Sequence, residues 1–303
     1  MTPANSEAAA ISAPLGGARQ RISDYIALAK PRVVLMILVT TLAGYYLGAR
    51  AALEFVLALK LLSGTALAAG GTLALNQYFE RDLDALMDRT RHRPVPAGRL
   101  MPVEALIFGL VAMVGGFLYL GFAVNWMTAG VIAAIAILYL GAYTPLKRFT
   151  WVCNVIGAIP GALPPVVGWV AARNTITAEP LILFGIMYLW QVPHTLAISR
   201  LYRHDYERAG IHIYPADGPR GNAANLLALG VCVVLLGVSL MPSMLGFAGR
   251  VYFWTALPLG LGMLLAAAAL VRRPETAVTA RRVLMASLIY LPLILLALVL
   301  DRT

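Results

Sequence analysis

The chain of 303 residues is 60% hydrophobic and only 13% charged, and it carries a formal net charge of +10. Soluble globular domains contain fewer apolar residues and about twice as many charged ones, so this composition excludes an ordinary soluble domain. It predicts a membrane protein. The basic excess then reflects the sidedness of the loops and requires no nucleic-acid partner.

The N-terminal segment, MTPANSEAAAISAPLGGARQR, consists mainly of small and polar residues and precedes any long apolar run. A secretory signal peptide contains an apolar run of its own, which is missing from this segment. We therefore expect residues 1–31 to form a disordered cytoplasmic tail and residues 32–303 to form one membrane domain.

Apolar runs long enough to cross a bilayer recur along the rest of the chain, since a span requires roughly 20 apolar residues. We predict nine spans, at residues 32–50, 58–79, 101–121, 125–144, 153–172, 180–199, 223–247, 251–271 and 283–300. No regular alternation typical of a transmembrane barrel is present, and each span must satisfy its own backbone in lipid. The predicted fold class is all-α, a polytopic bundle.

The basic residues divide unequally between the two sides that these spans define. Nineteen of the 24 lie in the tail and in the loops after the second, fourth, sixth and eighth spans. Basic loops stay in the cytoplasm, so the N-terminus is predicted inside and the C-terminus outside. Cys153 and Cys232 lie within separate spans, and their spacing indicates neither a disulfide framework nor a metal-thiolate site.

The first group of candidate functional residues follows directly from the second span, in NQYFERDLDALMDRTRHRPVPAGR. Asn76, Glu80, Asp84 and Asp88 are spaced four residues apart, which places them in one stripe on a continuing helix. Like charges at this spacing repel each other, and a divalent cation removes that penalty. Magnesium prefers oxygen ligands, usually one or two carboxylates together with phosphate oxygens and water. The stripe therefore predicts a magnesium site.

Basic residues follow the stripe at once, and Arg89 and Arg93 are candidates for binding phosphate oxygens. The alternative interpretation is a solvated polar helix end whose arginines only set the orientation of the chain in the membrane. Acids and an asparagine at membrane depth favour the functional interpretation. Asp82 lies off the stripe, where it either orients an arginine or faces water.

A second acidic segment, SRLYRHDYERAG, ends the sixth span on the same predicted side. Asp205 is the candidate second metal carboxylate, with Arg203 and Tyr206 as substrate-binding partners. Taken alone this segment is also typical of an ordinary polar surface. Its position opposite the first stripe suggests that a metal-bridged diphosphate is held between the two segments.

Three further polar residues have two interpretations each. His194, near the end of the sixth span, is either a hydrogen-bonded packing residue or a ligand. Lys147 and Arg148, at the end of the fourth span, either anchor the chain by charge or bind substrate. Glycines and prolines in NVIGAIPGALPPVVGW indicate close helix packing and kinks that shape a cavity wall. Aromatic residues such as Tyr143, Trp190 and Tyr214 form an interfacial belt or stabilise an allylic cation.

The segment NQYFERDLDALMDRTRHRP resembles the pattern N-x-x-x-[DE]-x-D-x-D-x-x-M-x-R-T-x-x-R of the protoheme IX farnesyltransferase (haem O synthase) branch of the UbiA superfamily of intramembrane prenyltransferases. YTPLKRFTWVCNVIGAIPGALPPVVGW and WQVPHTLAISRLYRHDYERAG resemble later blocks of that family. The resemblance covers roughly residues 25–300. Thr195 stands where the family usually has Phe, and Ile213-Tyr214 stands where Met-Leu is usual; both departures lie near the acceptor side.

The resemblance implies a helical bundle around a lateral cavity, with magnesium and diphosphate between the two acidic segments. It implies that Asn76, Glu80 and Asp84 act on the metal and diphosphate, that Asp205 is the second acid, and that His194 lies on the haem side. The implied reaction transfers a farnesyl group from farnesyl diphosphate to a vinyl group of haem b, in the cell inner membrane. The implied partners are haem A synthase and the assembly of haem-copper terminal oxidases.

Two other functions are compatible with parts of the sequence. A prenyltransferase acting on a quinone or chlorophyll precursor would use the same magnesium and diphosphate chemistry. A transporter would place polar groups near the midplane with broken helices, whereas these acids cluster at one side of the membrane. The R-T-x-x-R-P block and the run from Trp190 to His194 favour haem as the acceptor.

Overall fold

The computed structural model describes residues 17–49, 54–211, 219–272 and 277–303, and for 219–222 only the backbone. Within these ranges the chain is helical, and the only β-type pairing is an isolated bridge between Ala248 and Arg302. Every backbone group inside a bilayer must be paired within its own segment, which explains why apolar runs of this length form helices. The predicted all-α fold class is confirmed.

Nine segments of the described residues are long and apolar enough to cross a membrane, and they agree with the predicted spans. Their bounds are Pro31–Gly48, Phe55–Leu86, Pro102–Ala123, Trp126–Leu146, Cys153–Arg173, Ala178–Leu201, Ala223–Met244, Arg250–Arg272 and Ala277–Leu300. The largest difference is in the second span, which continues as helix to Leu86, seven residues beyond its predicted end. Tertiary contacts of its polar residues stabilise these two extra turns, as described below.

The helices are numbered in chain order, and two of the spans contain more than one helix. The helices are α1 (Ala18–Leu28), α2 (Pro31–Gly48), α3 (Phe55–Leu86), α4 (Pro102–Ala123), α5 (Trp126–Ile137), α6 (Thr144–Leu146), α7 (Cys153–Ala162), α8 (Pro164–Arg173), α9 (Ala178–Leu201), α10 (Arg203–Arg208), α11 (Pro219–Met244), α12 (Arg250–Arg272) and α13 (Ala277–Leu300). A π-helix, Leu138–Tyr143, joins α5 to α6. The face where α3 and α9 end is called the acid-bearing face, and the face where α2 and α8 end is called the opposite face.

Close approach between α2 and α8 depends on glycine. A Cβ atom on Gly44 would lie 1.9 Å from the backbone oxygen of Pro165, and one on Gly168 would lie 1.9 Å from the backbone oxygen of Thr41. Small residues let transmembrane helices pack closely, where van der Waals contact replaces the hydrophobic effect. The predicted role of the glycine- and proline-rich run in close helix packing is therefore confirmed at Gly168.

The structure differs from the predicted disordered tail over the residues just before the first span. Ala18–Leu28 forms a helix that packs on the acid-bearing face. Asp24 is buried and accepts a bond from Arg99 Nε at 2.9 Å, and the Leu28 backbone oxygen accepts one from Gln77 Nε2 at 2.6 Å. These partners lie at least 49 residues away in sequence, so the local composition of the tail could not indicate them. The part of the tail before residue 17 lies outside the described residues.

Candidate active site

Three members of the predicted stripe lie on one side of α3, in its last three turns. Asn76, Glu80 and Asp84 are 2%, 3% and 1% exposed. The fourth, Asp88, lies beyond the end of the helix at Leu86 and is exposed. The predicted stripe is therefore correct for three residues and wrong for Asp88. The stripe is also buried, whereas a polar helix end facing water would expose it.

Glu80 is paired with a base from another span. Lys147 Nζ, just after α6, donates to Glu80 Oε1 at 3.2 Å and to Oε2 at 3.1 Å, and both side chains are less than a tenth exposed. Burial lowers the pKa of Lys147, but the carboxylate of Glu80 and neighbouring tyrosines outweigh it, and the net pKa is raised. Lys147 therefore stays charged beside the Glu80 carboxylate.

Asp84 is paired on one oxygen only. Arg93 Nη1 donates to Asp84 Oδ2 at 2.5 Å, and the Thr90 hydroxyl donates to the Asp84 backbone oxygen at 2.9 Å, which fixes the loop after α3. Asp84 Oδ1 is buried and has no hydrogen-bond partner among the described residues. A buried carboxylate oxygen without a partner is costly, and a cation or a water molecule is the partner it lacks.

Asn76 is held from two sides. Lys30 Nζ donates to Asn76 Oδ1 at 3.1 Å, and Asn76 Nδ2 donates to Thr144 Oγ1 at 3.3 Å. Lys30 has a left-handed backbone with φ +52°, immediately before Pro31. The pKa of Lys30 is lowered to about 7, chiefly by burial and then by nearby Arg93, and these two effects outweigh the opposite effects of Glu80 and Asp84.

The second acidic segment forms the short helix α10, and its ion pairs lie nearer the solvent. Arg208 forms an ion pair with Asp205 and another with Asp88 Oδ2 at 2.6 Å, so one guanidinium joins the two acidic segments. These ion pairs hold the pKa of Asp88 below its usual value and raise that of Arg208. Arg203 pairs instead with Glu207, at 2.6 Å, within α10.

Tyr206 makes the second connection between the segments. It is buried, its hydroxyl accepts a bond from Arg89 Nη2 at 3.2 Å, and Lys147 Nζ lies 6.0 Å from the centre of its ring. The structure thus brings Arg89, Tyr206 and Lys147 together at the acid-bearing face. Arg148 does not join them, because its exposed side chain donates to the Phe79 backbone oxygen at 3.3 Å.

The acids of α3 have the chemistry of a partial magnesium site. Among the described residues no three His, Cys, Asp or Glu side chains lie close enough together to hold an ion alone. Magnesium commonly binds through one or two carboxylates, with substrate phosphates and water completing its octahedron. The unpaired Asp84 Oδ1 beside Glu80 provides a donor set of that kind. The residues therefore fit a magnesium ion that arrives with a diphosphate.

His194 lies two to three turns before Asp205, where α9 packs on α13. Its Nδ1 is 2.7 Å from Ser287 Oγ, and its ring stacks on Trp190 at 4.7 Å between ring centres. Trp190 Nε1 donates to the Ser287 backbone oxygen at 2.7 Å. One ring nitrogen of His194 is thereby fixed, while Nε2 has no hydrogen-bond partner in the described part of the chain.

A family model described as the UbiA prenyltransferase family matches residues 37–290. The chain belongs to this family. The protoheme IX farnesyltransferase of Solibacter usitatus is 43% identical to it over 290 residues, which cover 92% of this chain and 98% of the relative. The protoheme IX farnesyltransferase of Koribacter versatilis is 38% identical over 302 residues, which cover 97% of each chain. The recognition of a UbiA prenyltransferase from the acidic segments is confirmed.

Solved structures share the fold of this UbiA family member. A digeranylgeranylglyceryl phosphate synthase in membranes is similar with a TM-score of 0.80, at 17% identity, over 93% of this chain and 98% of that one. A UbiA homolog from Archaeoglobus fulgidus bound to DMAPP and Mg²⁺ is similar with a TM-score of 0.64, at 15% identity, over 91% of this chain and 99% of that one. At these identities the likeness shows the fold alone.

Two residues near the acids of α3 were not predicted from the sequence. Lys30 was predicted only to set the orientation of the chain in the membrane, although its position just before the first span, on the same side as the acids, was a usable signal. Tyr139 was also missed; the π-helix places its ring in a stack with Tyr143, 5.3 Å between centres. Single π-helical turns often occur at functional sites, but no sequence pattern marks them. Ile213 and Tyr214 lie outside the described residues.

Proposed function

We propose that this UbiA prenyltransferase transfers the farnesyl group of farnesyl diphosphate to a vinyl group of protoheme IX, giving haem O. Relatives named protoheme IX farnesyltransferase, 38–43% identical over more than nine-tenths of the chain, support this acceptor. The structural observation that carries the proposal is the buried stripe on α3. Its polar side chains are matched by Lys30, Lys147 and Arg93, which come from three separate segments.

The donor end of the proposed site lies between α3 and α10. Glu80 and Asp84, with Asp205 from the other segment, would hold Mg²⁺, which when bound stabilises the negative charge of the leaving diphosphate. The bases now paired with these acids provide donors for the remaining phosphate oxygens. As diphosphate and metal arrive together, the charge within the buried region stays balanced, which keeps the cost of desolvation low.

The proposed reaction has three steps: ionisation of the donor, attack by the haem vinyl group and addition of water. The bond between C1 of the farnesyl chain and the diphosphate oxygen breaks, and diphosphate leaves with the electron pair. A haem vinyl carbon attacks the allylic cation, and water adds to the product cation and releases a proton to solvent. The stacked Tyr139 and Tyr143 offer ring faces that stabilise a cation near Glu80 and Lys147.

His194 is assigned to the acceptor side. Its Nδ1 bond to Ser287 and its stack on Trp190 fix the ring, which leaves Nε2 available to steer or ligate the haem iron. The haem ring would then lie among the spans with its propionates toward arginines of the acid-bearing face. Holding two reactants in a fixed orientation lowers the barrier by several kcal/mol, of the order measured for intramolecular reactions.

The proposed location is the cell inner membrane, with the N-terminus in the cytoplasm and the C-terminus outside. Nineteen basic residues lie on the side proposed to be cytoplasmic and five on the other side, which supports this orientation. Haem A synthase and the assembly of terminal oxidases are the proposed users of the product. A periplasmic-type reporter fused after Thr303 should be active, and activity of a cytoplasmic reporter there would contradict the orientation.

The acceptor is tested with purified protein, labelled farnesyl diphosphate and Mg²⁺, supplied with either haem b or a hydroxylated aromatic acid. We expect a farnesylated haem with the added mass of one water, and no labelled aromatic product. The Glu80→Gln variant, which should be nearly inactive, is the negative control with both acceptors. Prenylation of the aromatic acid without conversion of haem would replace the proposal with a quinone-precursor prenyltransferase.

A further inference from the structure

The side-chain amide of Gln191 is a polar group within the membrane domain that lacks a partner. Gln191 is partly buried and lies about 15 Å before the end of α9 at Leu201, at 1.5 Å per residue. Its backbone oxygen accepts a bond from Thr195 Oγ1 at 2.9 Å, but its side-chain amide has no hydrogen-bond partner among the described residues. An amide among apolar spans is costly without a hydrogen bond, so a partner from outside the chain is expected.

The position of this amide is fixed by Gly161 on α7. A Cβ atom on Gly161 would overlap with the end of the Gln191 side chain, since it would lie 2.7 Å from Cδ of the amide. Only glycine leaves room for such a contact, because it has no Cβ atom. Gly161 therefore allows the amide to lie directly against α7.

The same side of α7 contacts the donor end of the proposed site. Gly157 precedes Gly161 by one helical turn, and a Cβ atom on Gly157 would lie 2.8 Å from Cε2 of Tyr143. The Cβ positions of residues one turn apart are about 5–6 Å from each other. The ring of Tyr143, which is stacked on Tyr139, and the amide of Gln191 are therefore neighbours along α7.

The acceptor end of the proposed site lies next to the same amide along α9. His194 follows Gln191 by three residues, so the two side chains are neighbours on the helix surface. His194 contacts α13 through Ser287, whereas Gln191 contacts α7 through Gly161. The amide thus lies between the tyrosine ring that faces the allylic cation and the histidine assigned to haem.

Water is the reactant that suits this position. The proposed reaction consumes one water molecule at a cation formed among the spans. Haem propionates and diphosphate would lie toward the acid-bearing face, whereas Gln191 is about one turn farther from that face than His194. A neutral amide offers one acceptor oxygen and two N–H donors. It can accept a hydrogen of the water molecule and leave a lone pair of the water oxygen directed at the cation.

We propose that Gln191 positions the water molecule that attacks the cation on the haem side, an inference that rests on the proposed farnesylation of haem. C1 of the farnesyl chain first bonds to the terminal vinyl carbon, which leaves the positive charge on the vinyl carbon next to the porphyrin. The water oxygen bonds to that carbon, and one proton leaves to solvent. Without a positioned water, the same cation loses a proton from the neighbouring carbon and forms an alkene.

The experiment measures the ratio of hydroxylated to alkene product by mass spectrometry, with purified full-length protein, haem b, farnesyl diphosphate and Mg²⁺ in oxygen-labelled water. Wild type should give the hydroxylated haem with the label. Gln191→Leu removes the amide at similar volume and should lower the ratio about fivefold, the effect of one net hydrogen bond. Gly161→Ala keeps the amide but displaces it, and should lower the ratio by a smaller factor. Loss of folded protein would reduce the yield and leave the ratio unchanged.

Thr195→Val is the matched control on the same helix. The Thr195 hydroxyl already donates to the backbone oxygens of Gln191 and Val192, so this variant should keep the wild-type ratio. An unchanged ratio in Gln191→Leu, or an equal decrease in Thr195→Val, would overturn the inference. A higher KM for haem without a change in product would also overturn it, because Gln191 would then contact haem itself. If wild type leaves haem unmodified, the proposed function fails, and this inference fails with it.

Discussion

The two acidic segments of the acid-bearing face are built differently. On α3, Glu80 and Asp84 are almost completely buried and are paired with Lys147 and Arg93, which lie 67 and nine residues away. On α10, Asp205 is half-buried and its partner Arg208 follows three residues later. The α3 acids are therefore fixed by tertiary packing, whereas the α10 acid depends on a local, partly exposed contact.

This difference indicates separate roles for the two segments. Breaking a buried ion pair by removing one partner typically costs about 3–5 kcal/mol, because the other charge stays buried without compensation. An exposed pair contributes about 0–1 kcal/mol. The α3 segment would thus be a pre-formed half of the proposed site, and in that site the α10 segment would exchange Arg208 for a metal or phosphate at little cost. Substitutions at Glu80, Asp205, His194 and Lys30 test the comparison, in order of expected effect.

Glu80→Gln should have the largest effect on turnover. It removes a carboxylate that we propose binds the metal, and it should lower kcat by about 10³-fold, similar to the loss of one pre-organised charge-stabilising group. It also leaves the ammonium of Lys147 buried without its partner, so Tm should fall as well. Steady-state kinetics with farnesyl diphosphate, together with a thermal unfolding scan, measures both effects.

The double variant Glu80→Gln, Lys147→Met separates these two effects. Replacing a buried pair with uncharged side chains of similar volume is often neutral for stability. We therefore expect the double variant to recover most of the lost Tm while its turnover stays low. Recovery of turnover along with Tm would show that Glu80 acts only through packing.

Asp205→Asn should lower turnover by about 100-fold while changing stability by less than about 1 kcal/mol, because its ion pair with Arg208 is partly exposed. The apparent Kd for Mg²⁺ in the presence of donor should rise. Glu207→Gln is the matched control, because Glu207 lies on the same helix and pairs with Arg203, and it should retain near wild-type kinetics. Equal losses in both variants would mean that α10 contributes only general surface charge.

His194→Ala should reduce haem farnesylation by about tenfold, equivalent to about 1.4 kcal/mol of lost positioning. Binding of farnesyl diphosphate should be unchanged, because His194 contacts Ser287 and Trp190 and no residue of the α3 stripe. Ser287→Ala, which removes the Nδ1 partner, should raise KM for haem by a smaller factor. A parallel loss of donor and haem binding would identify His194 as a packing residue.

Lys30 should give the smallest effect, seen as a pH dependence. Its pKa of about 7 means that the ammonium is charged below pH 7 and neutral above it. If the charged form binds diphosphate, kcat/KM for the donor falls as pH rises, by roughly threefold between pH 6.5 and 7.5 for a single titrating group. Lys30→Arg keeps its charge throughout this range and should give a flatter profile. Identical profiles for both proteins would exclude Lys30 as the titrating group.

Several features followed from the sequence because they depend on local pattern. Apolar runs of about 20 residues determined the spans, since a bilayer leaves helices as the way to satisfy their backbone. The spacing of four residues placed Asn76, Glu80 and Asp84 on one side of α3. Asp88 was assigned to the stripe wrongly, because helix periodicity does not indicate where the helix ends.

The partners of these residues were decided only by the tertiary structure. Lys30, which has a left-handed backbone between α1 and α2, donates to Asn76. Lys147, directly after the fourth span, donates to Glu80 on the second span. The π-helix places the ring of Tyr139 against that of Tyr143. Sequence spacing predicts which side chains share a helix face. Which base meets which acid depends on how the helices pack, and that packing is set by close contacts such as Gly168 against Thr41, which lie far apart along the chain.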